Sequence, residues 1–519
     1  MKTVEILRPT DNHVINLAID TIKRDKQALV FVNTKRSAEK AAEDISKQIK
    51  KQDENLDELS EQILKALSRP TKQCERLARC IKKGIAFHHA GLVAKQRELI
   101  EDSFRNGIIK IICSTPTLAL GVDLPAFRVI IRDLKRYGGP YGMAWIPVLE
   151  YLQQSGRAGR PSFDKYGESI AVSSTEKEKD AIYENYVLGE PEEIYSKLAV
   201  EPVLRTYLLS LIATDFVKNK KEIIEFFEKT FWAYQFEDMH KLESIIIKML
   251  RLLEEWKFIE TDAKDDFVSG DEVLNDSVNA TILGKRVAEL YIDPLTASFI
   301  IECLKKVNRN TDEFAFLQMI SHTIEMRPLL RPRVKEIEEI EEKLAEYSNN
   351  LLEKEPAIFD ADYDDFINSI KTALFFRDWI EEKDEEFLLE QYNIRPGEIR
   401  VKLGNADWLL YAAEELSRIL RMQRIIKEIT RLRLRVKYGV KEELLTLLKL
   451  KNIGRVRARK LYFNRIKTIG DVKKAELGTL VQILGKKVAL DVKEQVGQSF
   501  KNIKVKQNKR KGQISLNDY

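Results

Sequence analysis

The sequence predicts a multidomain chain that is α/β at its start and α-helical afterwards. Three observations predict this. Short apolar runs at Ala28–Thr34, Gly84–Leu92 and Ile108–Cys113 alternate with helical patterns over residues 1–190, the order that a parallel sheet with covering helices requires. From about Ile194 the apolar spacing changes to the helical period and keeps it to Val505, apart from one ribbon-like stretch. The strand-like runs also end in polar or glycine-bearing segments, which puts candidate chemistry at the carboxyl edge of the sheet.

At 519 residues the chain suits roughly three or four domains. A third of it is charged, yet the net charge is only +5, so basic residues must cluster locally if they bind nucleic acid. The four cysteines, Cys74, Cys80, Cys113 and Cys303, form no C-x-x-C pair and are joined by only five histidines. A disulfide framework and a resident metal site are therefore not expected, and a reducing, cytoplasmic setting is. The sequence holds no run of 18 apolar residues and no signal peptide, so no membrane association is expected.

Four blocks carry the chemistry of the first region. Ala28–Thr34 reads as a strand ending in Asn33 and Thr34, with Arg36 just beyond. Gly84–Leu92 contains His89 and Gly91. Ser114 and Thr115 follow the apolar run Ile108–Cys113 and lead through a short helical pattern to Gly121-Val122-Asp123. Gln153–Arg160 reads Q-Q-S-G-R-A-G-R, with Arg157 and Arg160 set among small residues. Glycines allow close backbone approach, and guanidinium forks grip phosphate oxygens in pairs.

In this order and spacing the four blocks resemble motifs IV, IVa, V and VI of superfamily-2 helicases of the Ski-like branch. The resemblance implies a RecA-like second motor lobe over residues 1–190, with ATP and Mg2+ as cofactors. It makes Arg157 and Arg160 arginine fingers, with Gln153, Gly121 and Asp123 as further catalytic positions. It makes Asn33, Thr34, Arg36, His89, Gly91, Ser114 and Thr115 contacts to a nucleic-acid strand. No G-x-x-x-x-G-K-(S/T) loop and no D-E-x-H box occurs in the sequence, and Gly485-Lys486-Lys487 lacks the rest of that loop. The chain is therefore expected to begin at a second lobe, to need a first lobe in cis or in trans, and to be inactive alone.

Lys47–Lys83 reads as a charged helical insertion with a solvated face, in which Cys74 and Cys80 are small buried residues. Between the last two motifs, Val129–Ile131 reads as a strand, Gly138–Gly142 as a turn, and Trp145-Ile146 as the start of a return strand. In the Ski-like helicases a hairpin here wedges into the duplex junction, which implies Tyr137 and Tyr141 as stacking residues.

Residues 191–288 hold three helical patterns, Val203–Val217, Lys221–Phe236 and Leu242–Trp256, then short strands at Phe258-Ile259 and Ala280–Leu283. Helices followed by a two-stranded ribbon describe a winged helix, expected here to brace the motor rather than to read a groove. Phe226, Phe227, Phe231 and Trp232 read as its core. Residues 289–428 are helical almost throughout, from Tyr291-Ile292-Asp293-Pro294 onward, with Lys335–Glu346 a solvated face. Pro396–Tyr411 opens with a helix-starting Pro-Gly-Glu and resembles the ratchet helix of the archaeal Hjm repair helicases. The resemblance implies that Trp408 stacks on a base. The family's arginine seven residues earlier is Val401 here, with Arg400 and Lys402 on either side as the available cations.

Residues 429–505 open with Arg431, Arg433, Arg435 and Lys437 and continue into Leu444–Tyr462, which resembles a helix-hairpin-helix. Such a turn presents backbone N–H groups to a DNA phosphate at a helix N-terminus. Gly454 is retained, Asn452 replaces the first glycine of the turn, and Arg455, Arg457 and Arg459 supply further cations. A weaker second copy surrounds Gly485. Residues 506–519 form a basic tail, in which Gln513, Leu516 and Tyr519 resemble a truncated sliding-clamp box.

The resemblance covers nearly the whole chain. It implies an ATP-dependent 3′–5′ DNA helicase working on single-stranded and forked DNA in replication-linked repair and recombination. A monomer is expected, and the box-like tail, not the family, adds a sliding clamp as a partner. The motor motifs alone would equally serve an RNA helicase, and an ATP-independent DNA-binding adaptor would share the remaining domains.

Overall fold

The computed structural model describes residues 5–6, 8–49, 54–67, 69–120, 122–137, 142–160, 164–236, 238–262 and 277–498. Gly121, Tyr141, Gln513, Leu516 and Tyr519 lie outside the described residues. The chain divides into two units: residues 1–197 with 230–237 and 385–402, and residues 198–229 with 238–384 and 403–519.

The first unit is built on β1 (Ala28–Phe31), β2 (Ile85–His88), β3 (Ile111–Ser114), β4 (Arg128–Ile131) and, after the hairpin β5 (Lys135–Tyr137) and β6 (Met143–Trp145), β7 (Glu168–Ala171). β1 to β4 and β7 form one sheet in the order β2-β3-β1-β4-β7, with every pair parallel. β1 to β4 are buried at every position, as strands covered on both faces must be. All five carboxyl ends thus lie along one edge.

The strands are shorter than their apolar runs. β1 stops at Phe31 because the Asn33 N–H turns to Asp133 Oδ2 at 3.1 Å and Thr34 caps the helix Lys35–Ser46. β3 starts at Ile111 rather than Ile108 because the Ile108 and Ile109 N–H groups both donate to the Ser103 carbonyl at a helix end. The return strand of the hairpin is Met143–Trp145, one turn of pleat earlier than expected; Ile146 is buried in the lobe core instead.

The insertion forms two helices, Glu54–Lys65 and Lys72–Ile81. Only their outer face is solvated, because Leu59, Ile63, Leu77, Cys80 and Ile81 join the core of the lobe. Cys74 and Cys80 are buried.

The second unit is mostly helical. The helices Glu201–Ala213, Lys220–Glu228 and Met239–Glu255 precede an antiparallel ribbon of β8 (Ile259–Thr261) and β9 (Val278–Ala280), then the helix Ile282–Leu290. The second ribbon strand ends at Ala280, not Leu283, because the Thr281 hydroxyl caps the next helix by accepting from the Gly284 N–H at 3.0 Å. Of the four aromatics read as core, Phe227 is buried and Phe226 partly buried here; Phe231 and Trp232 belong to the first unit, where Trp232 is buried and Phe231 half exposed.

Farther on, Phe314–Ser321 is buried at every position and lies against the long helix Tyr363–Ile380. A separate small core holds the last helices together through Leu444, Leu447, Leu461, Leu480 and Val492. The boundaries expected at 288/289 and 428/429 fall inside the helices Ile282–Leu290 and Gln423–Tyr438. Arg431, Arg433, Arg435 and Lys437 ride on the latter, and their alternate spacing puts them on different faces. Arg435 is buried, its guanidinium held by Glu313, Glu381 and the Val440 carbonyl.

Candidate functional site

Asn33, Thr34, His89, Ser114 and Thr115 lie at the carboxyl edge of the sheet. The turn bearing Arg157 and Arg160 is instead bonded to Ala126 and Gln27, just before the amino ends of β4 and β1. Ser114 and Thr115 leave β3, and Asn33 and Thr34 leave the adjacent β1. The Asn33 amide Nδ2 donates to the Lys135 carbonyl at the start of the hairpin. The Thr34 hydroxyl accepts from the Ser37 N–H at 3.0 Å, and Arg36 stands exposed one turn away. Ser114 is fully buried and Thr115 nearly so, with the Thr115 hydroxyl 3.0 Å from that of Thr117.

His89 takes a different role from the one expected. Its side chain has no accessible surface, so it does not reach a strand outside the lobe. Nδ1 accepts from the Gly91 N–H at 3.1 Å, which leaves the imidazole proton on Nε2, 3.2 Å from Glu39 Oε1. Burial pushes the His89 pKa down despite that carboxylate, so the ring is neutral near pH 7. Burial works against ionisation of Glu39 as well, but bonds from His89 and Gln73 and the charge of Arg395 hold its pKa at about 2. A β-carbon on Gly91 would overlap Arg395 Cδ, so the turn closes tightly over this network. Glu39 and Arg395 escaped the sequence reading because they lie far from His89 in the chain; the i, i+3 spacing of Arg36 and Glu39 is the only local signal.

The last two motifs meet through their backbones. The Ala126 N–H donates to the Arg157 carbonyl at 2.9 Å, and the Gly159 N–H donates to the Ala126 carbonyl at 2.7 Å, a parallel bridge between Ala126 and Ala158. Gly159 sits at φ 98°, a left-handed conformation that a β-carbon would strain. Gln153 is half buried on the helix Val148–Ser155, next to the buried Gln154.

The two arginines are held differently. Arg157 donates from Nε and Nη2 to the Ala119 carbonyl at 3.2 and 2.6 Å, and its Nη1 lies 3.8 Å from the exposed Asp123 carboxylate. Arg160 donates from Nε to Asp164 Oδ2 at 2.7 Å and from Nη1 to Gln27 Oε1 at 2.6 Å. The bond from Arg160 holds the Asp164 carboxyl below the usual carboxylate range. Arg160 is thus already neutralised, whereas Arg157 keeps a guanidinium edge beside solvent. Asp164 lies four residues past Arg160, a spacing the sequence offered.

In the hairpin, Lys135 sits 4.1 Å over the Trp145 ring, and Met143 is largely exposed. Tyr137 pairs with Met143 at the outer end of this ribbon.

The helix Pro396–Ile419 begins at the expected proline. Its first turns belong to the first unit, where Arg400 donates to Glu385 Oε1 at 2.7 Å. Lys402 is buried, and burial pushes its pKa down to about 8, so as placed it faces protein rather than solvent. Farther along, in the second unit, the half-buried Trp408 donates from Nε1 to the Leu290 carbonyl at 2.9 Å. A β-carbon on Gly404, one turn earlier, would meet nothing within 4 Å, so the helix face between Val401 and Trp408 is open. Arg433 stacks 4.7 Å from the Tyr411 ring while bonding Asp407 at 2.8 Å.

Gly454 caps the helix Arg455–Phe463, and Asn452 just before it is left-handed at φ 66°. The three arginines do not share a face. Arg455 donates to the Lys383 carbonyl at 2.6 Å and lies 5.0 Å over the Trp379 ring. Arg459 is held by Glu382 and Glu443. Arg457, two residues from each, turns back to the Asn452 carbonyl at 2.8 Å on the hairpin itself. No described group of acidic, histidine or cysteine side chains could hold a metal ion. Among the described residues no helix is long and apolar enough to cross a membrane.

Comparison with known proteins bears on the whole chain. The family model of the helicase conserved C-terminal domain matches residues 11–162, and that of archaeal helicase domain 4 matches residues 314–439. The chain is similar to the ATP-dependent DNA helicase Hel308 of Methanococcus vannielii, at 39% identity over 94% of this chain and 68% of the relative. It is also similar to the Hel308 proteins of Pyrococcus horikoshii, at 38% identity over 96% of this chain and 67% of the relative, and of Pyrococcus abyssi, at 38% over 96% and 67%. With two helicase domains matched in order and relatives aligned along nearly its full length, the chain belongs to the family of archaeal Hel308 DNA helicases.

Proposed function

We propose that this chain is the second motor lobe and the DNA-handling domains of an ATP-dependent helicase that moves 3′ to 5′ on single-stranded DNA and unwinds forked or branched DNA. The observation that carries the reading is the junction of Ala126, just before β4, with Arg157 and Gly159, which brings Arg157 and Asp123 together. A guanidinium hydrogen-bonded to a neutral carbonyl, with only the exposed Asp123 carboxylate 3.8 Å from its Nη1 among the described residues, suits a polyphosphate. ATP with Mg2+ would supply the phosphoanhydride whose cleavage drives the cycle. Arg157 would hold the terminal phosphate. Arg160, fixed by Asp164 and Gln27, positions the loop and joins only if those bonds yield.

In the same reading, Asn33, Thr34, Arg36 and Thr115 hold phosphates of the tracking strand, contacts that fix position without reading sequence. His89, Gly91 and Ser114 shape that edge from within. The hairpin bearing Tyr137 and Tyr141 parts the duplex, and Trp408 on its open helix face stacks on a base of the unwound strand. Residues 191–288 brace the lobe as a winged helix, 289–428 form the ratchet, and 429–505 hold the departing strand through Gly454 and Arg457. The tail residues Gln513, Leu516 and Tyr519 dock on a sliding clamp, a proposal testable by titrating the peptide Lys504–Tyr519 against that clamp.

The test is to supply the chain with the amino-terminal lobe of a Hel308 relative. DNA-stimulated ATP hydrolysis and unwinding of duplexes with a 3′ overhang are expected, with no hydrolysis by the 519-residue chain alone. Equal unwinding from a 5′ overhang, or of matched RNA duplexes, would overturn the reading.

A further inference from the structure

Tyr291 ends the helix Ile282–Leu290 in the left-handed region, at φ 56° and ψ 26°. This position suits glycine or asparagine, because a β-carbon there crowds a neighbouring carbonyl oxygen. Every other described non-glycine residue at positive φ is polar or charged, and Tyr291 is the one aromatic. Its side chain recovers nothing by burial, being 79% exposed. Among the described residues no ring or cation stacks on it.

The turn that carries Tyr291 is nevertheless fixed on both sides. Just before it, the Leu290 carbonyl accepts from Trp408 Nε1 at 2.9 Å. Just after it, Asp293 is buried, accepts from Arg205 at 2.6 and 2.8 Å, and caps the next helix by accepting from the Leu295 N–H. The Asp293 N–H donates to Glu325 Oε1 at 2.8 Å, and the Glu325 carbonyl accepts from Asn405 Nδ2 at 2.8 Å. Asn405 is one turn from Trp408 on the same helix. Both ends of the turn are therefore tied to the segment that bears Trp408, and the tie leaves a flat aromatic side chain in water beside it.

We propose that Tyr291 is a second stacking platform for an unpaired nucleobase, next to Trp408 on the path of the single strand. A strained, exposed aromatic residue contributes nothing to the folded chain that glycine would not better, but a rigid π face accepts any base. The proposal rests on the reading of Trp408 as a base-stacking residue, and its test separates the two.

The experiment measures binding of a fluorescein-labelled oligo(dT) to the full chain by anisotropy, alongside thermal melting, for Tyr291→Gly, Tyr291→Asn, Tyr291→Phe and Trp408→Ala. Tyr291→Gly and Tyr291→Asn should melt at or above the temperature of the parent chain, because they relieve the left-handed strain. Both should bind oligo(dT) at least about fivefold more weakly, the low end of what one stacked base is worth, whereas Tyr291→Phe keeps full affinity. On an abasic oligonucleotide of the same length, the parent chain and Tyr291→Gly should bind alike. Unchanged oligo(dT) affinity in Tyr291→Gly, with Trp408→Ala weakened, overturns the platform and leaves the reading of Trp408 standing. Weakening in Tyr291→Gly but not in Trp408→Ala upholds the platform and sinks the reading of Trp408. If neither substitution weakens binding, both fall.

Discussion

The Gly159 amide donates to the Ala126 carbonyl at 2.7 Å, which fixes the turn that carries Arg157 and Arg160 to the segment that carries Asp123. The turn can approach this closely because Gly167 lies directly beneath it: a β-carbon on Gly167 would overlap the Gly159 nitrogen and the Ala158 carbonyl carbon. Those neighbours are backbone and cannot swing away. Gly167→Ala is therefore expected to destabilise the lobe by about 1–3 kcal/mol, the scale of overpacking, and to pull the bridge apart. A urea titration checks the first effect. ATP turnover with the first lobe supplied checks the second, and a variant with parental turnover would refute the coupling.

Arg157 and Arg160 should separate in their effects. Removing Arg157 deletes bonds to a single carbonyl, so Arg157→Ala should change stability by less than about 1 kcal/mol while lowering turnover by about a thousandfold, the scale of an arginine finger. Arg160→Ala strips Asp164 of one of its two ion-pair partners among the described residues and leaves Lys26, 2.7 Å away. It should cost about 1–3 kcal/mol of stability in addition to any loss of turnover. Paired urea titrations and ATP hydrolysis assays decide it. Equal stability of the two variants would show that Arg160 is not held as the structure has it.

The contrast between these arginines also marks what a sequence can yield. The alternation of strands and helices, the carboxyl-edge placement of Asn33, Thr34 and Thr115, and the left-handed backbone at Asn452 follow from local patterns: apolar runs, polar strand ends, and a residue type that tolerates positive φ, whereas the strand order does not. Helix Pro396–Ile419 starts where Pro-Gly-Glu says it should. The partners of the functional side chains are a different matter, because they come from remote segments. Trp408 bonds a carbonyl 118 positions away, Arg459 meets Glu382 across 77, and Arg395 meets Glu39 across 356. The burial of His89 and Lys402 could not be read from their neighbours for the same reason.

The His89–Glu39 pair gives the lobe a sensitivity to acid whose sign is fixed by burial. The folded His89 pKa lies below its ordinary value of 6.5, so the unfolded chain binds more protons as pH falls through that range and stability drops. Glu39 adds a second loss: its folded pKa of about 2 lies below the ordinary 4.5, so its contribution is complete above 4.5 and disappears as pH falls toward 2. The second contribution is worth about 3 kcal/mol. Glu39→Gln should lower stability at pH 7 and flatten the acid limb below 4.5. Urea midpoints from pH 7 to pH 2 measure both, and an unchanged acid limb would contradict the assignment.

Arg457 bonds back to the hairpin, whereas Arg455 bonds the Lys383 carbonyl and Arg459 bonds Glu382, and this separates binding from stability. Arg459 is clamped by Glu382, whose pKa stays below the ordinary range despite burial because Arg459 bonds to it. Arg459→Ala should therefore loosen the attachment of the last helices to Glu382 and Glu443 and lower the melting temperature. Arg457→Ala breaks a single bond to the Asn452 carbonyl beside Gly454 and should leave melting within a degree or two. If Gly454 and Arg457 together meet a DNA phosphate, Arg457→Ala should weaken DNA binding uniformly across sequences and reduce the slope of log affinity against log salt by about one. Anisotropy titrations at several salt concentrations give that slope directly. A variant that binds more weakly without a change of slope would place the contact on something other than phosphate.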